Sequence, residues 1–235
     1  MAAPVAPAVE YPSSDGQPMA ETGIHVQAIM WLHQALQDFF RDKPDTFIAS
    51  DMLWYWEQGN PDRRVAPDVM VVPGVGGHQR RSFLSWEEKG AIPAIVFEMA
   101  SRGTVDEDLT TKFFLYEELG VREYVLFDPE GTNMIPRFQS YRLNGTAYRR
   151  LRDHELTSEL GFGLRAEDTR LRLIDLPTGQ PIPTRAEAVE AARQLAEAER
   201  QKAEAEKRRA DVLQAEVERL RARLQQLGHA NGSEG

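Results

Sequence analysis

Apolar residues recur at three- and four-residue steps through Ala28, Ile29, Leu32, Ala35, Leu36, Phe39 and Phe40. This spacing predicts an amphipathic helix that stops near Lys43-Pro44. Three short extended segments follow, Phe47–Ala49, Met52–Trp56 and Val69–Val72, punctuated by turn-formers such as Gly59-Asn60-Pro61. Ala94-Ile95-Val96-Phe97 is a compact apolar run after Pro93, the pattern of a central strand covered on both faces. Leu109, Phe113, Tyr116 and Leu119 then return to helical spacing, with Gly120 as the stop. Tyr124–Phe127 reads as a second buried strand, closed by Asp128-Pro129. Phe138–Leu143 and Thr146–Leu151 flank Asn144-Gly145, which predicts a hairpin because both turn residues tolerate positive φ. Helix, strands, strand, helix, strand and hairpin together describe a mixed-sheet α/β domain flanked by helices.

The ends of the chain differ from this middle. Residues 1–20 are rich in Ala, Pro and Ser and read as a loose leader, and 229–235 as a disordered tail. The folded domain is expected over 21–180. From Thr184 to Leu227 there is no Gly or Pro, and Ala, Glu, Arg, Gln and Leu dominate. A heptad seam runs through Val189, Ala192, Ala196, Ala203, Ala210, Leu213, Val217, Leu220, Leu224 and Leu227, with Glu199 and Glu206 interrupting it. Only Leu213 to Leu227 carries the large residues a coiled coil uses. Two readings of 184–228 therefore stand: a homodimerising coiled coil, or a solvated single helix held by i,i+4 charge pairs.

Composition narrows the function classes. The chain has 235 residues and no cysteine, which removes disulfides, thiol nucleophiles and cysteine-bound metal sites. Its start lacks the basic and apolar regions of a secretory signal, and no apolar run approaches the roughly 20 residues of a membrane helix. A cytoplasmic protein with no membrane partner is the expectation. The formal charge is −9, and residues 1–183 alone hold 18 basic and 27 acidic side chains. That counts against a nucleic-acid partner unless a bound cation or a local patch offsets it.

Candidate chemistry sits where polar residues end apolar strands. Asp68 directly precedes Val69-Met70-Val71-Val72, and Glu98 directly follows Ala94-Ile95-Val96-Phe97. If those strands are neighbours, two carboxylates meet at one end of a sheet. Partly desolvated, they repel unless a proton or a cation lies between them. A hard divalent ion answers this, since Mg²⁺ takes one or two carboxylates and keeps several waters. Such an ion polarises a phosphoryl oxygen and lowers the pKa of its bound water. Asp108, Lys112 and Tyr116 follow at four-residue spacing on one helix face. Lys112 aimed at the carboxylates would stabilise phosphate charge, whereas paired with Asp108 it is a helix ion pair worth about 0.2–0.5 kcal/mol. Asp68 equally suits a turn or cap. Glu98 is the stronger candidate, because an acid closing so apolar a strand needs a partner. His25 falls on the core side of the first helix, as a satisfied core histidine or as a ligand or its support. His33, His78, His154 and His229 show no ligand spacing, and no phosphate-binding glycine loop, Gly-x-Ser-x-Gly elbow or zinc signature occurs, so no organic cofactor is expected.

Taken together, Ala66-Pro67-Asp68-Val69, Ile95-Val96-Phe97-Glu98-Met99-Ala100-Ser101, Asp108 with Lys112 and Tyr116, Gly120-Val121-Arg122-Glu123-Tyr124 and Asp128-Pro129 resemble the Uma family of restriction endonuclease-like proteins, within the PD-(D/E)XK nuclease superfamily. The resemblance extends from about Glu21 to about Leu176. It implies a restriction-endonuclease-like core with Asp68 and Glu98 as Mg²⁺ ligands. The superfamily's usual lysine position, two residues after the glutamate, holds Ala100 here, and the lysine's role falls to Lys112 on the following helix. His25 sits where the family has a histidine in its first helix. Two features depart from the family pattern: Ser101-Arg102 stands where Ser-Pro is common, and the charged C-terminal helix lies outside the shared region.

The expectation is thus a Mg²⁺- or Mn²⁺-dependent endonuclease acting on DNA. Asp68, Glu98 and Lys112 would be catalytic, Asp68 and Glu98 the metal ligands, and His25, Asp108 and Tyr116 supporting residues. The alternative is a catalytically inactive nuclease fold acting as a binding or assembly protein through its C-terminal helix.

Overall fold

The computed structural model describes residues 9–14, 22–151 and 155–230. The chain separates into two compact units, 1–182 and 183–235. In the first, helix α1 (Gly23–Phe39) starts where the Thr22 hydroxyl accepts the His25 amide at 3.3 Å, the side-chain cap a helix N-terminus calls for. Its buried stripe of His25, Ala28, Leu32 and Leu36 follows the predicted spacing.

Strands β1 (Thr46–Ser50), β2 (Trp54–Tyr55), β3 (Arg64–Val65), β4 (Val69–Pro73) and β5 (Phe83–Leu84) lead to a single 3-10 turn at Ser85–Glu88. Then come β6 (Ile95–Met99), α2 (Val105–Leu109), α3 (Thr111–Glu118), β7 (Glu123–Phe127), β8 (Phe138–Asn144) and β9 (Ala147–Arg150). Strands β10 (Glu155–Thr157), β11 (Gly163–Glu167) and β12 (Arg170–Ile174) complete the unit.

Six strands form the central mixed sheet in the order β1-β4-β6-β7-β8-β9. Only β6 and β7 run parallel, and α2 and α3 make the crossover that such a pair requires. Every residue of β6 and β7 is buried, as their unbroken apolar runs demand. Alternation sorts their side chains between two layers. Ile95, Phe97, Met99, Val125 and Phe127 pack with Ala28, Leu32 and Leu36 of α1. Val96, Tyr124 and Leu126 pack with Tyr116, Val121 and Trp54 on the opposite face. Each such aliphatic or aromatic burial contributes about 1.5–3 kcal/mol.

Several elements differ from the sequence expectation. The helix through Asp108, Lys112 and Tyr116 breaks at Thr110 (φ −127°, ψ −81°) into α2 and α3. The hairpin turn is Gly145-Thr146, because Asn144 pairs with Ala147, and the positive φ (67°) belongs to Gly145 at the first turn position, as in type II′ turns. Two three-stranded sheets, β3-β2-β5 and β10-β11-β12, add to the expected set. The second supplies Leu156, Leu164, Leu171 and Leu173 to the α1 layer.

Within the stretch read as a leader, Tyr11 packs edge-on against Tyr55 at 5.3 Å, and the Pro12 carbonyl accepts the Tyr55 hydroxyl at 2.7 Å. The rest of that stretch, apart from 9–14, lies outside the described residues, as do His154 and 231–235.

The second unit is one helix, α4 (Arg185–Ala230). The Thr184 hydroxyl accepts the Glu187 amide at 3.3 Å and the Glu187 carboxylate accepts the Thr184 amide at 2.9 Å, a reciprocal capping box. Among the described residues no helix is long and apolar enough to cross a membrane.

Candidate active site

Strand register brings the two acids together. In the antiparallel β4–β6 ladder, Val71 pairs with Ile95, Met70 with Val96 and Val69 with Phe97. One further step sets Asp68 opposite Glu98. The ladder ends there because Asp68 turns its side chain into it: Asp68 Oδ2 accepts the Met99 amide at 2.6 Å. Glu98 lies two residues after Val96, so alternation sends it to the α3 layer. There it is almost wholly buried, with 1% exposure.

Glu98 has a defined partner for each carboxylate oxygen. Tyr116 donates its hydroxyl to Oε1 at 2.6 Å, and Lys112 Nζ donates to Oε2 at 2.9 Å. Lys112 also reaches Asp108 Oδ1 at 3.0 Å. The helix break at Thr110 therefore leaves the Asp108–Lys112 pair intact while directing the ammonium toward β6. Asp108 is itself buried, and its backbone carbonyl accepts the Tyr124 hydroxyl at 2.9 Å. Tyr116 stacks on Trp54 with ring centroids 6.4 Å apart and planes within 5°. The Trp54 indole in turn donates to Ser85 Oγ at 2.8 Å, so the 3-10 turn after β5 fixes the indole that packs on the ring holding Glu98.

On the other layer, His25 Nε2 lies 3.8 Å from Asp68 Oδ2, a long charge contact. Asp68 is the member with most solvent access, about a fifth of its side chain. All six residues named from sequence thus gather at one end of the central sheet, five of them linked by direct contacts to Glu98, Asp108 or Lys112 or to their immediate neighbours, and His25 linked through Asp68. Tyr124, Trp54 and the Met99 amide join the site without having been singled out. Tyr124 and Trp54 looked in the sequence like ordinary strand aromatics, and a backbone amide carries no side-chain signal at all.

Electrostatics follow from burying three acids with one lysine. Burial pushes the Asp68 carboxyl up to about 7, against the opposing pull of Lys112 and the Met99 amide. Glu98 is pushed up by burial to about 8, with Lys112 opposing and the Asp68 and Asp108 charges adding to the rise. Asp108 is likewise raised by burial, with Lys112 opposing. For Lys112, burial alone would favour the neutral amine, but the carboxylates of Glu98, Asp108 and Asp68 outweigh it and hold the ammonium well above its ordinary range. Burial, then the charge of Glu98, raises Tyr116, so it stays a hydroxyl donor.

A bound cation must be judged on this donor set. Among the described residues no group of three or more His, Asp or Glu is arranged to hold a metal ion. The all-oxygen pair Asp68 and Glu98 matches the one or two carboxylates with which Mg²⁺ is held when waters fill the remaining positions. Once all three acids have lost their protons, they leave two negative charges in excess of the one ammonium, which one divalent cation cancels. A cleft of about 660 Å³ lies elsewhere, beside β1, with walls that include His33, Arg41, Ser50 and Arg80; none of the six site residues lines it.

The chain is a member of the Uma2 family, described as "putative restriction endonuclease", whose profile matches residues 3–173. Among solved structures it is similar to a crystal structure of a "putative nuclease belonging to DUF820" from Anabaena variabilis, with 16% identity, 60% of this chain and 76% of that chain covered, and a TM-score of 0.44. No curated protein matches.

Proposed function

We propose that this chain hydrolyses phosphodiester bonds in DNA at the cluster of Asp68, Glu98 and Lys112, with Mg²⁺ or Mn²⁺ held by the two carboxylates. The observation that carries the reading is the register that sets Asp68 opposite Glu98 while Lys112 donates to Glu98 at 2.9 Å. Family membership supports the nuclease class and, with it, a nucleic-acid substrate. When bound, the divalent ion polarises a phosphoryl oxygen and acidifies a water.

The side chains have separable tasks. Lys112 stays protonated between Glu98 and Asp108, so it stabilises negative charge on the phosphate and does not take a proton. Asp108 positions Lys112. Tyr116 and the Met99 amide fix the carboxylates of Glu98 and Asp68, so that each presents its remaining lone pairs in one orientation. His25 adds a polar contact to Asp68 from the α1 side.

The reading is tested by plasmid and oligonucleotide cleavage with Mg²⁺ or Mn²⁺, using wild type, Glu98→Ala and Lys112→Ala. Cleavage confined to wild type supports it, and equal activity in all three removes it.

A further inference from the structure

Helix α4 spans 46 residues, about 69 Å at 1.5 Å per residue. Helices in proteins draw most of their stability from packing an amphipathic face. From Ala188 through Leu224 every residue of α4 is exposed in the single chain. Apart from Val212, the exposed large apolar residues of its second half fall on one line. Leu213, Val217, Leu220 and Leu224 recur at intervals of four, three and four, with exposures of 63%, 45%, 53% and 69%. That is one straight seam, continued in sequence by Leu227.

We infer that this seam pairs with the same seam of a second copy, as a parallel, in-register, two-stranded coiled coil over 210–227. In heptad terms Ala210, Val217 and Leu224 occupy a, and Leu213, Leu220 and Leu227 occupy d. Leucine fills all three d positions and β-branched Val217 the central a position between Ala210 and Leu224, and β-branched a with leucine d is the pairing that favours two strands over three or four. The flanking charges agree with that partner. Glu216 falls at g and Arg221 at the next e, so a parallel pair sets Glu216 of each copy against Arg221 of the other, twice by symmetry. The next g residue toward the N-terminus, Arg209, faces Gln214 and meets no like charge. Toward the N-terminus the seam degrades to alanine and to Glu199 and Glu206 at d, so pairing is confined to 210–227. This inference is independent of the nuclease reading.

The test is analytical ultracentrifugation of the full chain. Wild type should sediment at twice the 26.6 kDa chain mass, and Val217→Glu combined with Leu220→Glu at the single-chain mass with the thermal transition of the first unit unchanged. A monomeric wild type, or a double variant that remains dimeric, overturns the inference. Orientation is read from charge reversal. Glu216→Arg and Arg221→Glu should each weaken the homodimer, and mixing the two variants, one fluorescently labelled, should give heterodimer in preference to either homodimer. A statistical mixture overturns the parallel alignment.

Discussion

Raising the pH of the metal-free protein from 5 to 7 should destabilise it, and the sign follows from the site. Asp68 and Glu98 have ordinary values of 3.8 and 4.5 and are raised in the folded state to about 7 and about 8. Across pH 5 to 7 the folded state therefore holds protons that the unfolded chain has released. Folding binds more protons than unfolding in this window, so stability is greatest at its acid end and falls as pH climbs through the folded values. Each group changes stability by at most about 1.4 kcal/mol per pH unit. Two groups over two units give an upper bound of about 5.6 kcal/mol. Partial solvent access at Asp68 reduces this, and about 2–4 kcal/mol is the expected loss. For a unit of this size that is a melting temperature lower by about 5–15 °C. His33 acts in the opposite direction, because burial lowers its pKa, so the diagnostic quantity is the difference between proteins. In chelator, Glu98→Gln should show a shallower pH slope than wild type, the remainder coming from Asp68 and Asp108, whose carboxyls burial also raises. Adding Mg²⁺ should restore wild-type stability at pH 8 far more than at pH 5, since the ion must displace the protons. At a hundredfold excess over its dissociation constant it would contribute about 2.7 kcal/mol. Scanning calorimetry across the pH series measures all of this. A melting temperature that is flat or rising from pH 5 to 7, or an identical slope in Glu98→Gln, would refute the argument.

Other outcomes follow from the same contacts. Glu98→Ala and Lys112→Ala should each lower the cleavage rate at least about 100-fold, in line with removal of a preorganised charge from a buried site, as measured by initial-rate oligonucleotide assays. Tyr116→Phe removes the donor to Glu98 Oε1 and should cost about 1–2 kcal/mol in urea denaturation, more at pH 9 than at pH 6, because the ionised carboxylate is the form that needs the donor. Asp128 accepts the amides of Glu130, Gly131, Asn133 and Met134. Asp128→Ala should therefore destabilise the first unit by about 2–3 kcal/mol in the same measurement. Although burial opposes it, those amides hold the Asp128 carboxyl below 3.8, so its contribution is present above that value and is lost as pH falls through the depressed one.

Much of this architecture was legible in the sequence, for identifiable reasons. The run Ala94–Phe97 ending in Glu98 announced a strand buried on both faces, and an acid at its end could only be tolerated with partners, which Lys112 and Tyr116 supply. The 3.6-residue period of α1 placed His25 on the buried face. What the pattern could not give was register. Whether β4 and β6 are neighbours, and with which offset, is a tertiary property, and an offset of one residue would have parted Asp68 from Glu98. The break at Thr110 was hidden because Leu109 and Phe113 keep helical spacing across it. Strand β12 carries a legible alternation, Arg170-Leu171-Arg172-Leu173, yet its partner β11 has only a weak one, so the pair lacks a two-sided strand signal. The Trp54–Tyr116 stack joins residues 62 positions apart and leaves no local trace.

Because successive residues of a strand face opposite layers, β4 tolerates changes of identity more readily than changes of length. Swapping Val for Ile between Asp68 and Pro73 alters volume alone. Deleting a single residue there would instead rotate Asp68 toward the α1 layer, among Leu32 and Leu36, and leave Glu98 facing its lysine without a companion. Homologues that keep this chemistry should therefore vary freely in the loops between β4 and β6 while holding the number of residues within β4 itself constant.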